Sequence, residues 1–265
     1  MEKDPLHNPD SLGDYGLETV KMIKDRFAKG VDRGILLMRH SAREYRRDIH
    51  DLQNPLTELG RELALRMGDM LGADLNMRGF ASTAQRCIDT ADLIMHRTER
   101  DDSGERSKTR ATRVIEAFGV FYALDQVRMW KGLQAADGLD SFVAKWFKGE
   151  VAPDVMMPAR VAVSQILSVM KGRLVTISSE KGRSHSLDLC VSHDMTLYLV
   201  RQAIGLETTF EQPVNYLDGL LMFETDGELR VSSHYGKEVC IDAVSYTHLR
   251  AHETVLDLVC RLLLE

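Results

Sequence analysis

The chain has 265 residues, 44% hydrophobic and 28% charged, with 34 Lys and Arg against 40 Asp and Glu and a formal net charge of -6. That length suits one large domain, or one domain with an insertion, able to bury an ordinary core. The acidic balance speaks against nucleic acid or an anionic membrane surface as a partner, so any anion must be held by a local cluster of positive residues.

No apolar run approaches the roughly eighteen residues of a membrane span, and the polar, acidic start Met1–Asp10 lacks the basic flank and apolar stretch of a secretory signal. Cys87, Cys190, Cys240 and Cys260 are scattered without CxxC spacing. This argues against a disulfide framework or a thiolate zinc site and makes a reducing cytoplasm the expected location. From Leu12 to Lys29 the residues Leu17, Val20, Ile23 and Phe27 recur at helical steps, and Gly30 ends the helix. Ile35–Met38 reads as a short buried strand that runs into the polar string Arg39-His40-Ser41-Ala42-Arg43. Thr57 caps a predicted helix carrying Leu59, Leu63, Met67 and Met70 and closing near Gly72. Met77–Ala81 follows as a strand, Ser82-Thr83 as a cap and Ala84–Arg97 as a helix, then a charged, solvated loop over Glu99–Thr109.

Residues 110–155 hold Trp130, Trp146, Phe118, Phe121, Tyr122, Phe142 and Phe147. Such aromatic enrichment suits an insertion that covers a site, and core packing explains it equally well. Pro158–Lys171 reads as a helix closed by Gly172, and Ser178–Ser186 as a polar loop. Leu187–Val191 is a second apolar strand that runs into Ser192-His193-Asp194 and a helix to about Gly205. Leu217–Phe223 and Leu229–Ser233 flank Asp226-Gly227, the strongest hairpin signal in the chain. Strands alternating with helices predict an α/β fold with a mostly parallel sheet and an antiparallel pair at the end. The tail Val244–Glu265 has no link to this pattern and resembles translated adaptor sequence. It is therefore set outside the functional reading, together with the i, i+4 pair His248 and His252. The expectation is one domain over residues 1–243, with its insertion at about 110–155.

Two apolar strands each lead into a histidine. Side chains just beyond the carboxyl ends of neighbouring strands converge on one crevice, so His40 and His193 are expected to face each other. Arg86 falls in the first turn of a helix, an unfavourable place for a cation unless an anion is shared between the arginine and the helix N-terminus. Arg39, Arg43 and Arg86 would then present planar forks to phosphate oxygens. An imidazole attacks phosphorus through an unprotonated nitrogen, a form that nearby arginines favour. The same arginines can stabilise charge on the transferring oxygens, so no metal and no cofactor is called for. A leaving alkoxide needs a proton from a neighbouring carboxyl. Asp194 is the first choice, and it also suits the cap of its helix. His50, His96, His185 and His234 lack such company and are expected at surfaces or in satisfied hydrogen bonds.

Taken in order, Leu37-Met38-Arg39-His40-Ser41-Ala42-Arg43, Leu56-Thr57-Glu58-Leu59-Gly60, Ser82-Thr83-Ala84-Gln85-Arg86-Cys87-Ile88-Asp89-Thr90-Ala91 and Val191-Ser192-His193-Asp194 resemble the histidine phosphatase superfamily. That superfamily includes phosphoglycerate mutases and histidine acid phosphatases. The resemblance implies a three-layer, phosphoglycerate mutase-like α/β fold with a small covering insertion. It further implies a nucleophile at His40 that becomes phosphorylated and a phosphate pocket of Arg39, Arg43, Arg86 and His193. His193-Asp194 resembles the acid phosphatase branch, in which the aspartate donates a proton; Glu116-Ala117-Phe118-Gly119 resembles the segment bearing the acid in the mutase branch. Where the family usually has glycine after the nucleophile, this chain has Ser41, whose hydroxyl is expected to reach the phosphate. The expected activity is hydrolysis of phosphate monoesters, on a small molecule or a phosphoprotein, through a phosphohistidine. A phosphomutase of the phosphoglycerate mutase type and a phosphate- or phosphoprotein-binding domain without catalysis are the competing expectations, and the oligomeric state stays open.

Overall fold

The computed structural model describes residues 13–46, 48–72, 75–98, 111–176, 185–206 and 212–241. In chain order these form α1 (Leu17–Ala28), β1 (Arg33–Arg39), α2 (Glu58–Leu71), β2 (Leu75–Ala81), α3 (Gln85–Thr98), β3 (Arg113–Val114), α4 (Gln126–Ala135), α5 (Leu139–Phe147) and α6 (Ala159–Thr176). Then come β4 (His185–Ser192), α7 (Asp194–Ile204), β5 (Gly219–Thr225), β6 (Glu228–Ser233) and β7 (Glu238–Cys240). Two short 3-10 turns, Asp51–Gln53 and Glu116–Phe118, lie in the loops.

Among the described residues one mixed sheet has the order β3-β2-β4-β1-β5-β6-β7. β1, β2, β3 and β4 are parallel to their neighbours among themselves, and β5, β6 and β7 continue the sheet antiparallel. The expected hairpin is present, with Asp226 and Gly227 both at positive φ as its tight turn requires, and β7 extends it by a strand. β1 and β4 are buried almost throughout, as central strands covered on both faces must be. Alternation along them feeds two cores. Ile35, Leu37, Phe80, Cys190, Leu220 and Met222 face α5, α6 and α7, while Leu36, Met38, Met77, Leu189, Val191 and Leu221 face α1, α2 and α3. The result is three layers.

Local chemistry sets the ends. Thr57 Oγ1 accepts from Gly60 N at 2.9 Å and starts α2, and Gly205 in the left-handed region ends α7. Gly60 permits contact between α2 and the loop after β1, because a Cβ there would run into the Ala42 carbonyl.

Gly172 does not close α6, which continues to Thr176. Leu174 is buried in the core and Arg173 Nε pairs with Asp188 Oδ2 at 3.1 Å, so packing outweighs the glycine's modest helix penalty. Between β3 and α6, Trp146 is buried and donates to the Met157 carbonyl at 2.7 Å, whereas Trp130 is exposed on α4, a helix with no buried residue. Most of the expected loops at 99–109 and 178–186, and the whole tail from 244, lie outside the described residues. Within the described residues no helix is long and apolar enough to cross a membrane.

Candidate active site

β1 and β4 are adjacent and parallel, with Arg39 paired to Ser192, so the residues that follow them leave the sheet side by side. His40 N donates to the Ser192 carbonyl at 3.0 Å, and Ser82 N, after β2, donates to the Val191 carbonyl at 3.0 Å. Three strand ends are thus stitched into one edge. His40 and His193 meet there with ring centroids 5.6 Å apart at 73°. Arg86, one residue into α3, reaches back across the same edge: its Nε donates to His40 Nε2 at 3.0 Å, and its Nη2 lies 3.5 Å from His193 Nδ1. His40, His193, Arg39 and Arg86 are all buried.

These bonds fix the tautomers. His40 Nδ1 lies 2.7 Å from the Ser41 carbonyl, which can only accept, so Nδ1 carries the proton and Nε2 is the bare nitrogen that faces Arg86. His193 Nε2 sits 3.0 Å from Ser82 Oγ; since guanidinium only donates, Nδ1 is the accepting atom on the Arg86 side. Burial first, then Arg86, His193 and Arg39, hold the His40 pKa well below its ordinary value of 6.5 against the opposing pull of the Ser41 carbonyl. Burial and Arg86 likewise push His193 down, with Asp194 and Asp51 pulling the other way. Both imidazoles are neutral near neutral pH.

Arg39 is held on three sides. Its Nη1 donates to the Val214 carbonyl at 2.7 Å, its Nη2 pairs with Asp194 Oδ2 at 3.0 Å, and its guanidinium lies 4.2 Å over the Tyr216 ring. Asp194, the first residue of α7, also accepts from Met195 N at 2.8 Å. Burial alone would raise its pKa, but Arg39, the Met195 amide and His193 hold it below the ordinary value of 3.8. It is a carboxylate here, and it is not the helix cap, a position His193 takes.

Arg43 is not bonded to His40; it joins the cluster through Asp51, whose Oδ1 lies 2.9 Å from Arg43 Nη2 and whose Oδ2 lies 3.2 Å from Arg86 Nη2. The expectation for Ser41 needs correction. Its hydroxyl donates to the Gly60 carbonyl at 2.7 Å and its amide to Thr90 Oγ1 at 3.1 Å, so the hydroxyl's one proton serves α2 and cannot serve a phosphate oxygen. Glu116 begins the turn that follows β3. The Ile115 amide, one residue before it, bonds the Ala81 carbonyl, and the Phe118 carbonyl accepts from Ser192 Oγ. The turn therefore sits on the same edge, with the Glu116 side chain exposed. Asp51, Val214 and Tyr216 belong to the cluster and carried no signal in the sequence, and Ser82, read there as a cap, also meets His193.

Two of the other histidines, His185 and His234, differ from the expectation of surface positions or satisfied hydrogen bonds, because their Nδ1 atoms are buried without a hydrogen-bond partner. His50 accepts from Leu52 N at 3.3 Å, His185 stacks on Phe27, and His234 pairs with Asp218. Among the described residues no three His, Cys, Asp or Glu side chains form a metal cage. The groups that converge are cationic forks around two bare imidazole nitrogens, His40 Nε2 and His193 Nδ1, an arrangement suited to a tetrahedral anion.

The model of the histidine phosphatase superfamily (branch 1) matches residues 35–210. No curated protein matches the chain significantly. Among solved structures, it is similar to mycobacterial hydrolase 1, with 16% identity, a TM-score of 0.50, and coverage of 76% of this chain and 96% of that one. A mycobacterial glucosyl-3-phosphoglycerate phosphatase is 16% identical at TM-score 0.48, over 78% of this chain and 96% of that one. A phosphoglycerate mutase from Bacillus anthracis strain Sterne is 16% identical at TM-score 0.49, over 77% and 94%. At 16% identity the likeness to mycobacterial hydrolase 1 is one of fold.

Proposed function

The chain belongs to the histidine phosphatase superfamily, branch 1, and from that premise we propose that it hydrolyses phosphate monoesters through a phosphohistidine formed on His40. The observation that carries this is the orientation of His40: Nδ1 is locked on the Ser41 carbonyl, which aims the Nε2 lone pair at Arg86.

In the first displacement, His40 Nε2 attacks phosphorus in line as the bond to the ester oxygen breaks. The phosphoryl oxygens take over the N–H groups of Arg39 and Arg86, which favour the transition state because they are already aligned. The leaving oxygen needs a proton. Asp194 is ion-paired to Arg39 at 3.0 Å, so in our reading it holds Arg39, and Glu116, exposed on the same edge, is the donor. In the second displacement water attacks phosphorus, the same carboxylate takes its proton, and the P–N bond breaks to release orthophosphate. Arginines supply the charge stabilisation, so turnover is expected to persist in chelator.

The test is turnover of an aryl phosphate and an alkyl phosphate, with rapid-quench detection of the phosphoenzyme. A labelled intermediate in wild type, none in His40→Ala, and release of orthophosphate into water support the proposal; transfer of the label to a second substrate molecule would make the protein a mutase. Glu116→Gln should slow the alkyl ester far more than the aryl ester. If only Asp194→Asn does so, the donor is Asp194.

A further inference from the structure

Asp51 places a carboxylate between two arginines assigned above to phosphate. Its Oδ1 is 2.9 Å from Arg43 Nη2, its Oδ2 is 3.2 Å from Arg86 Nη2, and its main-chain carbonyl accepts from Arg86 Nη1 at 2.6 Å. No other side chain among the described ion pairs bridges these two guanidinium groups.

The carboxylate is held loosely from its own side. It is 42% exposed and begins a 3-10 turn with no buried residue. That turn closes on itself at its base, where Glu44 N bonds the Pro55 carbonyl at 2.8 Å and Arg46 and buried Asn54 exchange bonds of 3.0 and 3.3 Å. Rotation of the Asp51 side chain toward water therefore disturbs neither β1 nor α2. Asp194 differs: it is anchored in the first turn of α7 and less exposed.

We propose that Asp51 is an internal anion that competes with substrate, neutralising Arg43 and Arg86 until a phosphoryl group displaces its carboxylate. This rests on the phosphate-binding reading above. A phosphoryl dianion brings three oxygens and more charge than a carboxylate, so it wins the exchange, while the returning carboxylate helps expel orthophosphate after hydrolysis. Asp51 thus sets how tightly the pocket grips phosphate, and no residue need be lost from the chemistry for that grip to change.

The test is calorimetric binding of inorganic phosphate to wild type, Asp51→Asn and Arg86→Gln. Asp51→Asn is expected to bind about tenfold more tightly and to show stronger product inhibition, while Arg86→Gln binds more weakly. Unchanged or weaker binding by folded Asp51→Asn overturns the proposal and makes Asp51 a fixed strut for the two forks. If neither wild type nor Asp51→Asn binds phosphate, the phosphate reading itself fails and this proposal with it. In wild type, the Asp51 carboxyl carbon resonance should move toward that of a solvated aspartate as phosphate is added; a resonance that stays in place while phosphate binds counts equally against displacement.

Discussion

Two clusters of buried charge sit on the same sheet and do different things. Midway along β4, Asp188 is 1% exposed and takes both Nε and Nη2 of Arg78, at 2.6 and 2.8 Å, and Nε of Arg173 at 3.1 Å. Arg173 also lies 3.8 Å over the Phe80 ring. Every oxygen there is answered by a fork from a neighbouring element, and the cluster ties β2, β4 and α6 together. At the carboxyl edge, Arg39, Arg43 and Arg86 are answered instead by Asp194 and Asp51, carboxylates that are 31% and 42% exposed, and the bare His40 Nε2 stands among them. Charge pairing alone does not mark a site. What distinguishes the candidate site is cations whose partners open to water beside an unprotonated imidazole nitrogen.

The largest effect should come from His40. His40→Ala is expected to lower kcat by about 10³-fold or more with the urea midpoint nearly unchanged, whereas equal loss of stability would mean the edge is as structural as the Asp188 cluster. Asp188→Asn should do the reverse. Two guanidinium groups left facing a neutral amide cost about 2–4 kcal/mol, toward the low end for buried pairs because both arginines are partly exposed. Urea denaturation should show that loss while kcat per folded molecule stays at wild type.

Gly60→Ala probes the support of the edge. The clash with the Ala42 backbone should cost about 2–3 kcal/mol, and because Ser41 bonds Gly60 it should also lower kcat, which Asp188→Asn does not.

Acid should separate the clusters further. The folded His40 and His193 bind protons more weakly than in the unfolded chain, whose histidines titrate near 6.5. As pH falls below 6.5 the unfolded chain therefore takes up protons first, and stability declines until the folded values are reached. His193→Gln should flatten the wild-type fall in stability below pH 6.5; an unaltered slope would show that His193 is not held neutral. For the same reason the His40 ring resonances should show no titration through pH 6.5. The smallest effect belongs to Arg128, exposed and paired with Asp154 at 2.6 Å. Arg128→Gln should shift stability by no more than about 0.5 kcal/mol.

Much of the fold was legible because it is written locally. Short apolar runs placed β1 and β4, helical spacing placed the helices around them, Thr57 announced α2, and Asp226-Gly227 announced the hairpin. The meeting of His40, Arg86 and His193 followed from strand ends that carry polar residues. What stayed hidden depends on contacts distant in sequence. Asp51 lies in a mixed-charge stretch that reads as a solvated face, and nothing local says that Arg86 will reach it. Tyr216 supports Arg39 from a turn in which Leu217 is held at positive φ, a conformation no leucine advertises. Asp188 went unmarked inside the apolar run Leu187–Val191 because its partners lie on two other elements. Ser41 misled for the opposite reason: adjacency to the nucleophile suggested a role in the pocket, but the hydroxyl is turned to α2.

The segment between β3 and α6 is fastened to the strand that bears His193. Ser192 Oγ grips the Phe118 carbonyl at 2.6 Å, and Tyr122 Oη meets Thr196 Oγ1 at 2.9 Å inside α7. Two bonds of this kind tie the segment to the end of β4 and to α7. Under the proposed activity, a preference among esters would be set in part by the residues of this segment, which could change while the edge that bears His40 stays as it is.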